Sequence, residues 1–143
     1  KYNGCEISTA KALFCEAWAD FNRMRCQVGY PPIESQREIS SISRKMIRKA
    51  KERAAIKNMD FDLTQRSVID VINSQKNKCA LTGLMFSSMK SSEGRRQPFA
   101  PSLDRIDNNK GYVPGNIRIV TVIANLARGD FSDLEFEIMR NGG

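Results

Sequence analysis

Between residues 101 and 130 lies PSLDRIDNNKGYVPGNIRIVTVIANLARGD, and no other stretch restricts the fold as tightly. Residues 102–106 read as a short strand. Residues 107–115 are rich in turn formers (Asp107, Asn108, Asn109, Gly111, Pro114, Gly115), and 116–120 alternate apolar and polar side chains as a second strand. Residues 122–128 then form a short helix that Gly129 ends, and Ser132 with Glu135 has the form of a capping box for a last helix to about 140. Strand, loop, strand and helix within thirty residues dictate a small hairpin with a helix laid on it, and an α+β architecture.

The chain ahead of this unit is mainly helical. In 8–27 the residues Leu13, Phe14, Ala17, Trp18, Phe21 and Met24 recur at helical spacing, as in a helix that packs. Gly29-Tyr30-Pro31-Pro32 interrupts it, and Ser35 with Glu38 three residues on predicts a capping box opening a second helix over about 35–57. That helix carries Arg37, Arg44, Lys45, Arg48, Lys49, Lys51, Arg53 and Lys57 against Glu38 and Glu52, with Ile39, Ile42, Met46, Ile47 and Ala50 as a narrow apolar seam. Such a row is either a solvated face or a line of phosphate contacts. Asn58 is expected to stop it, and Thr64 to cap a third helix to about 75. The turn Cys79-Ala80-Leu81-Thr82-Gly83 and a Ser-rich loop over 87–97 complete the approach. Residues 1–75 are thus expected to be a helical, basic region and 76–143 the hairpin unit with its C-terminal helix.

Charge narrows the partners. Lys and Arg number 23 against 16 Asp and Glu, a net +7 over 143 residues, which is the electrostatic footprint of a polyanion binder. Charge alone leaves membrane surfaces and acidic proteins open, but no apolar run approaches the ~20 residues of a membrane span. Cys5, Cys15, Cys26 and Cys79 form no CxxC pair, so they read as reduced, structural thiols, and a reducing, intracellular (cytoplasmic) compartment is expected. The chain begins at Lys1 with no methionine and no signal-like apolar segment, which leaves any N-terminal address open. There is no histidine, and this excludes every Ser-His, Cys-His and His-zinc mechanism within the chain.

Asp104 on the first strand and Asn125 on the closing helix bring a carboxylate and an amide oxygen together. That is a sparse oxygen site suited to Mg²⁺ that keeps waters and takes phosphate oxygens as further ligands. Taken singly, Asp-Arg in a strand is most often a surface ion pair, and an Asn in a helix a solvated side chain. In order and spacing, however, CALTG at 79–83, PSLDRIDNNKGYVPGNIRIV at 101–120 and ANLARGD at 124–130 resemble the HNH endonuclease family. The likeness is to the small phage and bacterial forms in which a basic helical segment precedes the ββα-metal module. The lead-in KERAAIKNMDFDLT at 51–64 is similar too.

The resemblance implies a metal-dependent DNA endonuclease. It makes Asp104 and Asn125 ligands of Mg²⁺ or Mn²⁺, and Asn116 the residue that braces the loop. Arg105 falls where the family usually has its general-base histidine. An arginine stays protonated, with a pKa above ~12, so it offers no lone pair to a proton. It can grip a phosphate and oppose charge in the transition state. The attacking hydroxide would then arise on the metal, or by way of Asp107 or Asp130. With one cysteine at 79 and Thr82 where a partner would stand, structural zinc is not expected. The hairpin is expected to pack through Leu81, Leu84, Phe86, Leu103, Ile106, Ile117, Ile119 and Ile123.

The expected function is therefore a divalent-metal-dependent DNA endonuclease of α+β, HNH-like fold, acting on duplex or branched DNA. Arg44, Lys45, Arg48, Lys49, Lys51, Arg53, Arg118 and Arg128 are its expected nucleic-acid contacts. The missing histidine supports an alternative, a non-cleaving DNA-binding protein on the same fold. A structural protein with a basic surface is the third class.

Overall fold

The structure, a computed structural model, describes residues 30–88 and 97–142. The helix expected over 8–27 and most of the Ser-rich loop lie outside them. Helix α1 (Gln36–Ile56) starts where Ser35 accepts a hydrogen bond from the Arg37 N–H at 3.2 Å. Glu38 does not close the expected capping box, because its carboxylate accepts from the Ser88 hydroxyl instead. Asn58 adopts φ 51° and ends the helix, as its tolerance of the left-handed region allows. Helix α2 (Gln65–Ser74) opens on a capping box between Thr64 and Ser67.

Strands β1 (Pro101–Arg105) and β2 (Ile117–Thr121) pair antiparallel in the register Ser102 to Val120, Leu103 to Ile119 and Asp104 to Arg118. Helix α3 (Val122–Arg128) follows directly, capped by Thr121, and helix α4 (Asp133–Asn141) opens on the Ser132–Glu135 capping box. Helix α1 packs on α2 and β1, α2 on β2, and α3 on both strands.

One apolar core runs through these elements. Met46, Ala50 and Ala54 of α1 and Val68 and Ile72 of α2 are buried with Phe86, Leu103, Ile117, Ile119 and Ala124. The narrow seam on α1 thus continues to Ala54, with Ile42 and Ile47 at its margins. Three expected core residues are outside it: Leu84 is half-buried, while Ile106 is 50% and Ile123 49% exposed. The last two have a plain reason. Ile106 stands one residue past the end of β1, and Ile123 is on the outward side of α3, so neither shares the face on which the core is built.

The free edge of β2 is closed by a side chain. Gln75 donates to the Ile119 carbonyl at 2.8 Å and accepts from the Ile119 N–H at 3.0 Å, and the Ala80 N–H also reaches that carbonyl. A carboxamide thereby does the pairing of one strand residue, which removes two orphan groups from an exposed edge. Next to it the tight turn 79–83 is held by Cys79 N–H to Leu84 and Gly83 N–H to Cys79. Cys79 is buried, and its sulfur accepts from the Thr121 N–H at 3.2 Å, so it serves as an acceptor beneath the start of α3.

Candidate functional site

The loop joining the strands is fixed from inside. Asn116 is buried, and its amide oxygen accepts from the Asp107 N–H at 2.9 Å while its nitrogen donates to the carbonyls of Asp107 and Gly111. Arg105 adds a second tie. Its guanidinium donates to the carbonyls of Asn108 at 2.9 Å and Lys110 at 3.0 Å, touches the Met59 sulfur, and lies 5.5 Å from the Tyr112 ring centroid. All three contacts run through Nη1, so one terminal nitrogen of the group expected to grip a scissile phosphate is a tie to the loop and to Met59. The loop also leans on the lead-in segment: Tyr112 N–H donates to Asp60 and Asp62 N–H to Tyr112. A Cβ on Gly111 would run into the Asp60 carbonyl, so only glycine fits there.

Asp104 sits on the face of β1 that it shares with Ser102, opposite Arg118. It is buried, and each carboxylate oxygen accepts from a guanidinium: Arg118 Nε at 2.8 Å and Arg128 Nη2 at 2.9 Å. Arg118 also forks onto Asp133 of α4, with its two terminal nitrogens at 2.6 and 2.7 Å from the two oxygens. Arg128 donates further to the Phe131 carbonyl, and its Nε is buried with no acceptor. Two carboxylates and two guanidiniums thus form a closed, charge-neutral network. The bond to Asp133 chiefly raises the Arg118 pKa, burial opposing it and Asp104 adding to it, and the same bond holds the Asp133 carboxyl below the usual carboxylate range.

This network bears on the metal that the sequence resemblance implies. A divalent ion at Asp104 would meet a carboxylate with both oxygens engaged, in surroundings that already carry as many positive as negative charges. Among the described residues no group of three His, Cys, Asp or Glu side chains comes together. As arranged, then, Asp104 does not fit a metal ligand. The Asn125 amide nitrogen donates to the hydroxyl of Ser102, on the same face of β1, at 3.0 Å, and Asn125 lines a groove.

That groove, a cavity of about 600 Å³, lies between α1 and the β1–α3 face. Lys45, Lys49 and Arg53 line one wall, with Ser102, Asn125 and Leu126 opposite. Spacing of four residues puts the three cations on one flank of α1, about 6 Å apart. Lys45 and Lys49 are exposed and have no carboxylate partner among the described residues, while Arg53 Nε donates to the Tyr112 hydroxyl at 3.1 Å. Arg44, Arg48 and Lys51 are exposed but do not line it. Of the eight expected nucleic-acid contacts, then, three meet in the groove and three stay on the outer surface of α1. Arg118 and Arg128 turn inward onto Asp104. Asp107 caps the Asn109 N–H and pairs loosely with Lys110, and Asp130 is exposed, neither of them at the groove.

Sequence reasoning missed Ser102 and Asp133. The hairpin register points to the first, since it puts Ser102 on the Asp104 face, but no signal in the sequence brings Asp133 back to Arg118.

No family model and no curated protein matches the chain. A solved structure does: that of the rare-cutting HNH restriction endonuclease PacI, with a TM-score of 0.52 and 19% identity over 68% of this chain and 72% of that one. The chain thus shares a mixed helical and two-stranded antiparallel fold with an HNH restriction endonuclease.

Proposed function

We propose that this protein is a DNA endonuclease of the HNH type that takes the sugar–phosphate backbone into the groove between α1 and the β1–α3 face. The observation that carries this reading is the row Lys45, Lys49 and Arg53 facing Asn125 and Ser102 across that groove, on a fold shared with an HNH endonuclease. Phosphates rise about 3.4 Å per nucleotide along one strand, so a cationic row of about 12 Å suits several of them. The cations would release counterions and fix the register of the strand. Asn125, oriented by Ser102, would present its amide to the backbone at the opposite wall. Arg105 and Asn116 would act through the loop they hold, as positioning residues. Dependence on Mg²⁺ or Mn²⁺ goes with this reading. In the arrangement described, the Asp104 network takes no cation, so what the chain's own side chains supply is binding and alignment.

A second reading, a DNA-binding protein that does not cleave, is favoured by that same closed carboxylate and by the absence of histidine. Nicking of supercoiled plasmid in Mg²⁺, Mn²⁺ and EDTA separates the two. The endonuclease reading expects nicking that EDTA abolishes and that Asn125→Ala and Asp104→Ala reduce, the latter scored only if its melting curve shows a folded protein. Salt-sensitive binding without nicking in any metal would leave the binding module.

A further inference from the structure

The Arg118–Asp133 pair has the geometry of a phosphate site already filled. The two terminal nitrogens of Arg118 meet the two Asp133 oxygens in a parallel fork, the arrangement by which a guanidinium also recognises a phosphodiester. The partners differ in how firmly they are held. Arg118 is anchored: its side chain is 12% exposed, and its Nε stays on the buried Asp104. Asp133 is the first residue of α4, its side chain 48% exposed. Helix α4 buries only Phe136, leaves Leu134, Ile138 and Met139 exposed, and joins α3 through Gly129 at φ 53°. An element with so little buried surface is among the first to open. The site is also continuous with the groove, because Ser102 and Asp104 are successive residues on one face of β1 and Asn125 and Arg128 are one turn apart on α3.

We propose that Asp133 is an intramolecular stand-in for a DNA phosphate: it occupies the Arg118 fork in the free protein and is displaced when a phosphodiester binds there. The proposal rests on the DNA-binding reading above. Arg118 keeps its bond to Asp104 throughout, so only the Asp133 carboxylate is exchanged for a phosphate oxygen pair. Asp133 thereby weakens DNA binding, and the exchange discriminates against any anion too weak to displace a bidentate carboxylate.

The test is fluorescence anisotropy of a labelled duplex with the full chain, in EDTA so that nothing is cut. Native protein is compared with Asp133→Asn, Arg118→Met, the double variant, and Glu137→Gln, which removes the same charge from the same helix at a site paired with Arg140. Asp133→Asn is expected to tighten binding about tenfold, within the usual range of coupling between sites. It should also steepen the salt dependence by about one phosphate contact. The gain should vanish in the Arg118→Met background, and Glu137→Gln should give at most about a twofold change, as befits general charge. Equal gains from Asp133→Asn and Glu137→Gln, or a gain that survives without Arg118, would overturn the proposal while leaving DNA binding intact. Absence of duplex binding by every folded variant would overturn the proposal and the function beneath it together. If Asp133→Asn does not fold, Asp133→Ser, which keeps a small polar residue at the helix start, is read in its place by the same criteria.

Discussion

The cations of the groove and the cations around Asp104 are alike in the sequence and opposite in the fold. Lys45, Lys49 and Arg53 are exposed on one flank of a long helix, two of them with no acidic neighbour among the described residues. Arg118 and Arg128 are 12% and 4% exposed and are paired with Asp104 and Asp133. A guanidinium taken out of water must be paired, so the fold holds the buried pair in an ion network, open only at the half-exposed Asp133, and leaves the surface row free of such partners. Basic residues of one chain therefore divide by burial before they divide by function.

Substitutions can break that contrast from either side. The largest effect is expected at Asp104: Asp104→Ala leaves two buried guanidiniums without their shared partner and should cost about 3–5 kcal/mol, read as a fall in the urea midpoint. A loss near zero would mean that the network is not formed in solution. Asn116→Ala strands the polar groups of the 107–111 loop and should cost about 1–3 kcal/mol in the same assay, with cleavage falling further than stability explains if the loop positions the site. Replacing Lys45, Lys49 and Arg53 together by alanine should leave the midpoint within about 1 kcal/mol. It should also lower the slope of log affinity against log salt by about three. An unchanged slope would move the DNA to another face.

The smallest effect concerns pH. The Asp133 carboxyl is held below its usual range in the folded protein, chiefly by Arg118, so its contribution is fully present above the unfolded value, near pH 4, and is lost as pH falls through the lower folded value. With the side chain half-exposed this amounts to at most about 1 kcal/mol. Melting curves from about pH 2 to 6 should show Asp133→Asn less stable at the upper end and converging on the native protein at the lower end. Parallel curves would place the pair outside the acid transition.

Local signals made much of this fold legible. The Thr64 and Ser132 caps, the stop at Asn58 and the turn at Gly129 depend on the chemistry of a few neighbouring residues, and each falls where the sequence puts it. Ser35 caps its helix but without Glu38, because the carboxylate finds Ser88, fifty residues away, a partner no local motif encodes. Ile106 fails for a related reason: alternation says which side a residue takes, and cannot say where the strand ends. At the site, Asp104, Arg105, Asn116 and Asn125 are singled out by the family resemblance, but their partners are not. Arg105 turns one terminal nitrogen to backbone carbonyls, and the second guanidinium on Asp104, that of Arg128, needs α3 folded back onto the hairpin, which is a tertiary fact.

Gln75 sets a limit on how the molecule can be divided. Because one side chain from the end of α2 shields the edge of β2, a fragment beginning after residue 75 would keep both strands and the Ala80 bond to the Ile119 carbonyl but uncover the Ile119 N–H. Its more open edge would be free to add a strand from another copy, so such a fragment is expected to associate more readily than the longer chain.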